Sequence, residues 1–338
     1  MMKVAVFDTH RYERDILAAS AARRGHELVF LEPRLTEETA VLAQGSRVAC
    51  SFVNDRVTAR TLETLAAVGV GLVALRSAGY NHVDLQAAAR LGLPVVRVPE
   101  YSPHAVAEHA ATLILALNRK IHKAYARVRE GNFSLEGLVG FDMVGKTAGV
   151  IGTGRIGAAL ARILHGFGCH VLAYDLRPDT ALVEAGIVRY ASLPELYAKA
   201  DILSLHVPLT PKTHHLVDAA AIASMKRGVM LINTGRGALV DTPALLEALK
   251  TGQVGHAGLD VYEEEEGIFF RDLSDRVIQD DVLARLLTLP NVLVTSHQGF
   301  LTHEALTNIA ETTFESISAF ERGEPLVHAL RVETVIRS

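Results

Sequence analysis

The sequence predicts an α/β fold of two doubly wound parallel-sheet domains, on three observations. Short apolar runs alternate with amphipathic helical patterns along nearly all of the 338 residues. One run, Ala148 to Ile151, meets Gly152, Gly154 and Gly157 in GxGxxG spacing and opens a helical pattern near Arg155. A further run then ends on Asp175, giving strand, tight turn, helix, strand and acid in the order that a dinucleotide site needs.

Taken in order, the candidate strands of the first sheet are Val4–Phe7, Leu28–Leu31, Val48–Ser51, Leu72–Leu75 and Val95–Val98. Helical patterns at Asp15–Arg24, Ala59–Ala67 and Asp84–Leu91 lie between them. After Leu75 comes RSAGYNHVD, where Ser77, Ala78 and Gly79 could offer backbone N–H groups to an anion or simply make a turn. A long helix, about Ala105 to Arg129, follows. Its apolar surface implies burial between domains or against a second subunit. His104, His109 and His122 lie on it or at its start and read as packed or capped residues, because no carboxylate or cysteine stands at metal spacing.

Six apolar runs mark the second sheet: Ala148–Ile151, Val171–Tyr174, Ile202–Leu205, Val229–Ile232, His256–Leu259 and Val292–Thr295. Polar or small residues follow these runs, namely Gly152, Asp175, His206-Val207-Pro208, Thr234-Gly235-Arg236, Asp260 with Glu265, and His297. Ligands of open parallel sheets bind outside the carboxyl ends of the strands. Gly152 allows the turn, Gly154 a close approach to a pyrophosphate, and Gly157 close helix packing. Asp175 suits an adenosine ribose diol and repels a 2'-phosphate, which favours NAD over NADP, although Arg177 nearby would welcome one. Four carboxylates run from Glu263 to Glu266, and spacing alone does not select among them. The helical pattern after His297, through Leu306, Ile309, Phe314, Ile317 and Phe320, predicts a return to the first sheet. The expected domains are therefore 1–101 with 300–338, and 102–299, with a cleft between them for substrate.

Composition limits the alternatives. A net charge of -4 with dispersed basic residues gives no nucleic-acid surface, and no apolar run is long enough to span a bilayer. The N-terminus lacks signal-peptide regions, which predicts a cytoplasmic protein. The two cysteines, Cys50 and Cys169, read as buried small hydrophobes, and no metal site is expected.

Several stretches together resemble the D-isomer-specific 2-hydroxyacid dehydrogenases, and within them the fermentative D-lactate type. They are LRSAGYNHVDL from Leu75, VPEYSPHAVAEHA from Val98, GVIGTGRIG from Gly149 and LHVPLTPKTHHL from Leu205. The others are MLINTGRGALVD from Met230, GLDVYEEEEGIFF from Gly258 and PNVLVTSHQGFLTHEAL from Pro290. The resemblance implies a Rossmann NAD-binding domain and a flavodoxin-like substrate domain. It also implies Arg236 as the group that binds and polarises a 2-oxo acid, His297 as acid/base, and Glu265 as its partner, which favours the charged imidazole. Arg155, Ile156, Asp175, His206, Val207, Thr213, Thr234 and Asp260 would line the NAD site with the glycines. Ser77–Gly79 would bind the substrate carboxylate, with Tyr101 close by, and Phe52, Tyr101 and Phe300 would form a small apolar wall suited to pyruvate. One departure stands out: HQGF at His297–Phe300 replaces the usual HQAF. The expected reaction is NADH-dependent reduction of pyruvate to D-lactate, by a homodimer or dimer of dimers formed through the NAD domains. A larger 2-oxo acid or glyoxylate as substrate, and an NAD-sensing corepressor, are the alternatives.

Overall fold

The computed structural model describes residues 1–331. In chain order its strands are β1 (Lys3–Val6), β2 (Glu27–Phe30), β3 (Val48–Ser51), β4 (Leu72–Leu75), β5 (Val95–Val96), β6 (Thr147–Ile151), β7 (His170–Tyr174), β8 (Arg189–Tyr190), β9 (Ile202–Leu205), β10 (Val229–Asn233), β11 (Val254–Leu259) and β12 (Val292–Val294). The helices are α1 (Arg11–Arg23), α2 (Ala59–Ala67), α3 (Leu85–Arg90), α4 (Pro103–Arg119), α5 (Ile121–Arg129), α6 (Arg155–Gly166), α7 (Thr180–Glu184), α8 (Leu193–Lys199), α9 (Ala219–Ser224), α10 (Thr242–Thr251), α11 (Asp281–Thr288) and α12 (His303–Arg322). Two compact units divide the chain: Met1–Ser102 with the chain from Leu301 on, and Pro103–Phe300.

The first unit is a five-stranded parallel sheet in the order β2-β1-β3-β4-β5, the flavodoxin-like order. Because side chains alternate across a strand, its apolar runs supply two faces at once. Ala49, Val73 and Val95 pack with Leu62 and Leu65 of α2 and Ala87 of α3. On the other face Val4, Val6, Val48, Leu72 and Ala74 pack with Leu17 of α1 and with Ala310, Phe314 and Ile317 of α12. The last helix thus returns to the first sheet, as its pattern predicts. Thr302 caps its start through Ala305 N–H, and Gly323 ends it with φ +68°.

A buried ion pair ties this sheet's carboxyl end together. Arg76, directly after β4, has a side chain without solvent exposure and donates to Glu13 Oε1 at 3.0 Å and Oε2 at 3.2 Å. The same guanidinium reaches the carbonyls of Phe7 and Asp8, after β1, at 3.1 and 3.2 Å. Burial disfavours its charge, yet Glu13 beside it holds the pKa well above the ordinary arginine value. Asp55 lies in the loop after β3, where burial pushes its carboxyl up to about 6 although Phe52 N–H, Leu35 N–H and the Ser51 hydroxyl all donate to it.

The second unit is a seven-stranded parallel sheet, β12-β11-β10-β9-β6-β7-β8. Six strands were expected; the seventh, β8, is the edge pair Arg189–Tyr190 beside Leu172 and Ala173. It has two residues, one charged and exposed, so no apolar run announces it. The order reverses between β6 and β9, which makes that boundary the topological switch point. Register then aligns the strand ends: Ile151 pairs with Tyr174 and Leu205, Asn233 with Leu205 and Leu259, and Leu259 with Val294. Every residue that follows these strands therefore emerges along one edge.

The long helix is also corrected. Lys120 takes φ +51° and divides it into α4 and α5. Burial of α4 is internal to its unit, with Ala107, Ala110, Leu113, Ile114 and Leu117 against Val150, Ile202, Met230, Ile232 and Leu160. Asn118 fixes the point where the apolar face stops, since its amide exchanges two 2.8 Å hydrogen bonds with the backbone of Phe141. No residue of α5 is buried. Among the described residues no helix is long and apolar enough to cross a membrane. Cys50 and Cys169 are both free and buried, as expected.

Replacing Arg76 by Met would leave Glu13 buried without its cation. Urea denaturation should show a loss of about 3–5 kcal/mol, and Arg76→Lys should recover little, because one ammonium cannot reach the same acceptors.

Candidate active site

The turn after β6 is shaped by what its glycines touch. Gly152 has φ +93°, and a Cβ there would lie 2.6 Å from the carbonyl oxygen of His206. A Cβ on Gly157 would lie 1.8 Å from the Gly152 oxygen, so α6 could not start at this depth with any side chain in that place. Around Gly154 a Cβ would meet nothing within 4 Å. Gly154 is the N-cap of α6 and supplies no side-chain cap, which leaves backbone donors and the positive dipole end facing open space. The arrangement fits a pyrophosphate. Arg155 and Ile156 form the first turn of the same helix.

At the end of β7, Asp175 accepts Thr153 N–H at 2.6 Å through one oxygen and Arg177 N–H at 2.8 Å through the other. Its carboxylate thereby joins the glycine turn to the β7 end. The Arg177 side chain is exposed. After β9, His206 bonds through Nε2 to the Ser204 hydroxyl at 2.8 Å, and burial lowers its pKa to about 4, so the ring is neutral at pH 7. Val207 and Pro208 continue that segment, and Thr213 closes it by donating to the Pro208 carbonyl at 2.6 Å. Thr234 is buried, and its hydroxyl has no hydrogen-bond partner among the described residues. An unpaired buried hydroxyl is costly unless a ligand satisfies it.

Arg236 follows β10 in a turn set by Asn233, a residue the sequence reading passed over. The Asn233 side chain accepts Gly235 N–H at 3.1 Å and donates to the Arg236 carbonyl at 2.8 Å. Arg236 itself is half-buried, with Nη1 on the Gly235 carbonyl at 2.7 Å. Gly237 brings this turn onto the acidic segment, since a Cβ there would lie 2.1 Å from the backbone of Tyr262. Within the run of four glutamates the structure separates the roles. Glu264 and Glu266 are exposed, Glu263 bonds to His215 and Thr242, and Glu265 faces His297.

His297 takes φ +50°, a left-handed backbone that costs a non-glycine residue about 1–2 kcal/mol. Its Nδ1 lies 3.1 and 3.2 Å from the two oxygens of Glu265, and Nε2 makes no hydrogen bond with a described residue. What holds the strained loop is Asp260. The Asp260 carbonyl accepts His297 N–H at 2.7 Å, while its carboxylate accepts the N–H groups of Gln298 and Gly299, each at 2.8 Å. Thr295 Oγ1 donates to the same carboxylate at 2.6 Å, and His109 Nε2 lies 3.2 Å away. Burial alone would raise this carboxyl, but those hydrogen bonds and the His109 charge together hold its pKa below the ordinary value. Asp260, expected to line the cofactor site, is almost fully buried, and its carboxylate accepts the N–H groups of the histidine loop. A Cβ on Gly299 would stand 2.9 Å from Asp260 Oδ2, so an alanine in this place needs that carboxylate to shift slightly. His109 and Thr295 join the network only in three dimensions.

The remaining predicted residues are placed as follows. Ser77, Ala78, Gly79 and Tyr101 belong to the first unit, and Phe300 ends the second. Ser77 Oγ donates to the Gly79 carbonyl at 2.7 Å and Arg97 to that of Ala78 at 2.8 Å, shaping the loop after β4. Tyr101 accepts Asn308 Nδ2 on its carbonyl at 2.6 Å. Phe52 is buried, with the Arg76 guanidinium 5.2 Å from its ring centre.

Because the folded Asp260 carboxyl titrates below 3.8, it contributes stability that is present above that value and is lost as pH falls through the lower folded one. Asp260→Asn should therefore cost about 1–3 kcal/mol at neutral pH. The gap from the parent should narrow as urea titrations move down to about pH 3.

Comparison with known proteins places this geometry. Residues 111–299 match the family model described as "D-isomer specific 2-hydroxyacid dehydrogenase, NAD binding domain". D-lactate dehydrogenase of Escherichia coli is 54% identical over 323 residues, 96% of this chain and 98% of that one. The structure described as the pyruvate reductase of Chlamydomonas reinhardtii superposes with a TM-score of 0.93 at 48% identity, covering 97% and 98% of the two chains. A D-lactate dehydrogenase from Lactobacillus jensenii, solved with NAD+, gives 0.80 at 33% identity over 98% of this chain and 100% of that one. An NAD-binding domain with this edge of polar groups makes the protein an NAD-dependent oxidoreductase, and the chain belongs to the D-isomer-specific 2-hydroxyacid dehydrogenase family.

Proposed function

We propose that the protein reduces pyruvate reversibly to D-lactate, with Arg236, Glu265 and His297 as the catalytic residues. The observation that carries this reading is the imidazole of His297, bonded to Glu265 through Nδ1 and anchored through its backbone to Asp260. The similarity to D-lactate dehydrogenases over nearly the full chain supports the choice of substrate. NADH, when bound, supplies the hydride that the 2-oxo carbon takes up. His297 gives a proton from Nε2 to the carbonyl oxygen as negative charge develops there, and the neutral ring is then reprotonated from solvent. Glu265 fixes Nδ1 as the N–H nitrogen and stabilises the imidazolium. Arg236 pairs with the substrate carboxylate and polarises the carbonyl, a task suited to a planar guanidinium. We assign the NAD contacts to Gly152, Gly154, Arg155, Ile156, Gly157, Asp175, His206, Val207, Pro208, Thr213, Thr234, Gly235 and Asp260, the last also anchoring the His297 loop. The Ser77–Gly79 loop is assigned carboxylate binding, and Tyr101 and Phe300 contact with the substrate methyl.

The decisive experiment follows NADH absorbance with pyruvate, with a panel of larger 2-oxo acids and glyoxylate, and identifies the product enantiomer. Rapid oxidation yielding D-lactate is expected. Turnover confined to a larger acid would move the substrate assignment, and NADH binding without turnover of any acid would remove the reading. His297→Ala should lower kcat by about 10²–10⁴-fold while NADH still binds. Arg236→Lys should lose about 10²-fold, since a point charge cannot reproduce the bidentate fork.

A homodimer or dimer of dimers through the NAD domain is part of the same proposal. Ile121, Tyr125 and Val128 stand on one face of α5, all exposed, and Phe133, Leu135 and Val139 expose a further apolar stretch after it. Light scattering after size exclusion should give two or four times the chain mass, and the double variant Tyr125→Glu/Phe133→Glu should lower it.

A further inference from the structure

Away from the residues assigned to hydride transfer, the fold gathers a set of donors that spacing in the sequence does not reveal. His214, His215 and Glu263 each bring one donor atom to a spot where all three lie within 4.8 Å of one another. Neighbouring residues in extended chain point to opposite sides, but His215 has φ +50° and its N–H is held by the Ala238 carbonyl at 2.8 Å. The two imidazoles consequently stack, with centroids 4.0 Å apart and planes 29° apart. Glu263 is anchored from the other side. One carboxylate oxygen accepts the Thr242 hydroxyl at 3.0 Å, and the second lies 2.6 Å from His215 Nε2. His214 is exposed, so the cluster opens to solvent, while His215 and Glu263 are half-buried.

We propose that His214, His215 and Glu263 form a binding site for a divalent transition-metal ion of the zinc and cobalt class. Two imidazoles and one carboxylate are borderline N/O donors that suit these ions, whereas calcium and magnesium prefer oxygen alone. Three protein ligands leave a coordination position for water. Thr242 has the place of an outer-shell group, orienting the carboxylate through the oxygen that does not face the imidazoles. The ion enters the contact between His215 and Glu263 and draws in the exposed His214 ring. It thereby joins the segment after β9, which carries Thr213, to the segment that leads to Glu265. The site does not depend on the identity of the organic substrate.

The test uses the full chain stripped with a chelator and titrated with Co2+, whose visible absorption reports its ligands directly. One saturable equivalent per chain is expected, and excess Zn2+ should displace it and raise the Tm. His214→Ala removes an exposed ring and leaves the His215–Glu263 contact in place; it should weaken binding by about tenfold or more, as should Glu263→Gln, and Thr242→Val should weaken it in the same direction. His303→Ala, an exposed histidine of the first unit, should leave the titration unchanged. Circular dichroism and NADH binding verify that each variant is folded. Absence of saturable Co2+ uptake by the parent chain would overturn the proposal. So would equal affinity in the parent and in a folded His214→Ala variant.

Discussion

The carboxylate of Asp260 is the constraint on which the candidate site depends. Five groups converge on this residue: three successive backbone N–H groups, the Thr295 hydroxyl and the His109 ring. Four of them reach the carboxylate, and the fifth, His297 N–H, is taken by the carbonyl of the same residue. A loop that turns through a left-handed histidine would relax to another conformation if left to itself. The buried charge prevents that, because moving the loop would strip the carboxylate of donors that no water replaces. The position of the His297 imidazole is thus set by an acid that is itself almost fully buried.

The first unit uses a related device of opposite sign. Arg76 is a buried cation beneath strand ends, just as Asp260 is a buried anion, and both collect carbonyls or N–H groups from loops that leave parallel strands. Parallel strands that end in register deliver several backbone polar groups to one edge, and a charged side chain can satisfy several of them at once. The arrangement keeps polar loops rigid without covering them by further chain.

Much of this was legible in the sequence because buried parallel strands are unbroken apolar runs. All five strands of the first sheet and six of the second stand where such runs do, to within two residues at either end. The edge strand β8 escaped because it is only two residues long, an exposed Arg189 and a Tyr190 that packs on the core, and so makes no apolar run. The division of the long helix escaped because no glycine or proline marks it; Lys120 bends where the Asn118 amide captures a distant backbone. At the site, Arg236 and His297 were legible from their places after strand ends, while the glutamate run was opaque to spacing; motif resemblance singled out Glu265, and Glu265 is the member of that run that faces His297. Asn233, His109 and Thr295 gave no signal of their own. His109 and Thr295 act on the Asp260 carboxylate from positions remote in sequence, a relation that no local pattern encodes, and the Asn233 amide folds back on Gly235 and Arg236 only once the turn has formed.

The contact between Gly157 and the oxygen of Gly152 bears on how glycine motifs should be interpreted in general. With only 1.8 Å available for a Cβ, position 157 is closed to every side chain by the depth of the helix alone, with or without a nucleotide. A descendant of this chain that had lost all affinity for its cofactor would still be obliged to keep that glycine, or else rebuild the helix start. The third glycine is therefore a record of architecture. The open space beside Gly154 is different, since nothing in the folded chain forbids a methyl group there, and its persistence in a lineage would be the better witness to a ligand.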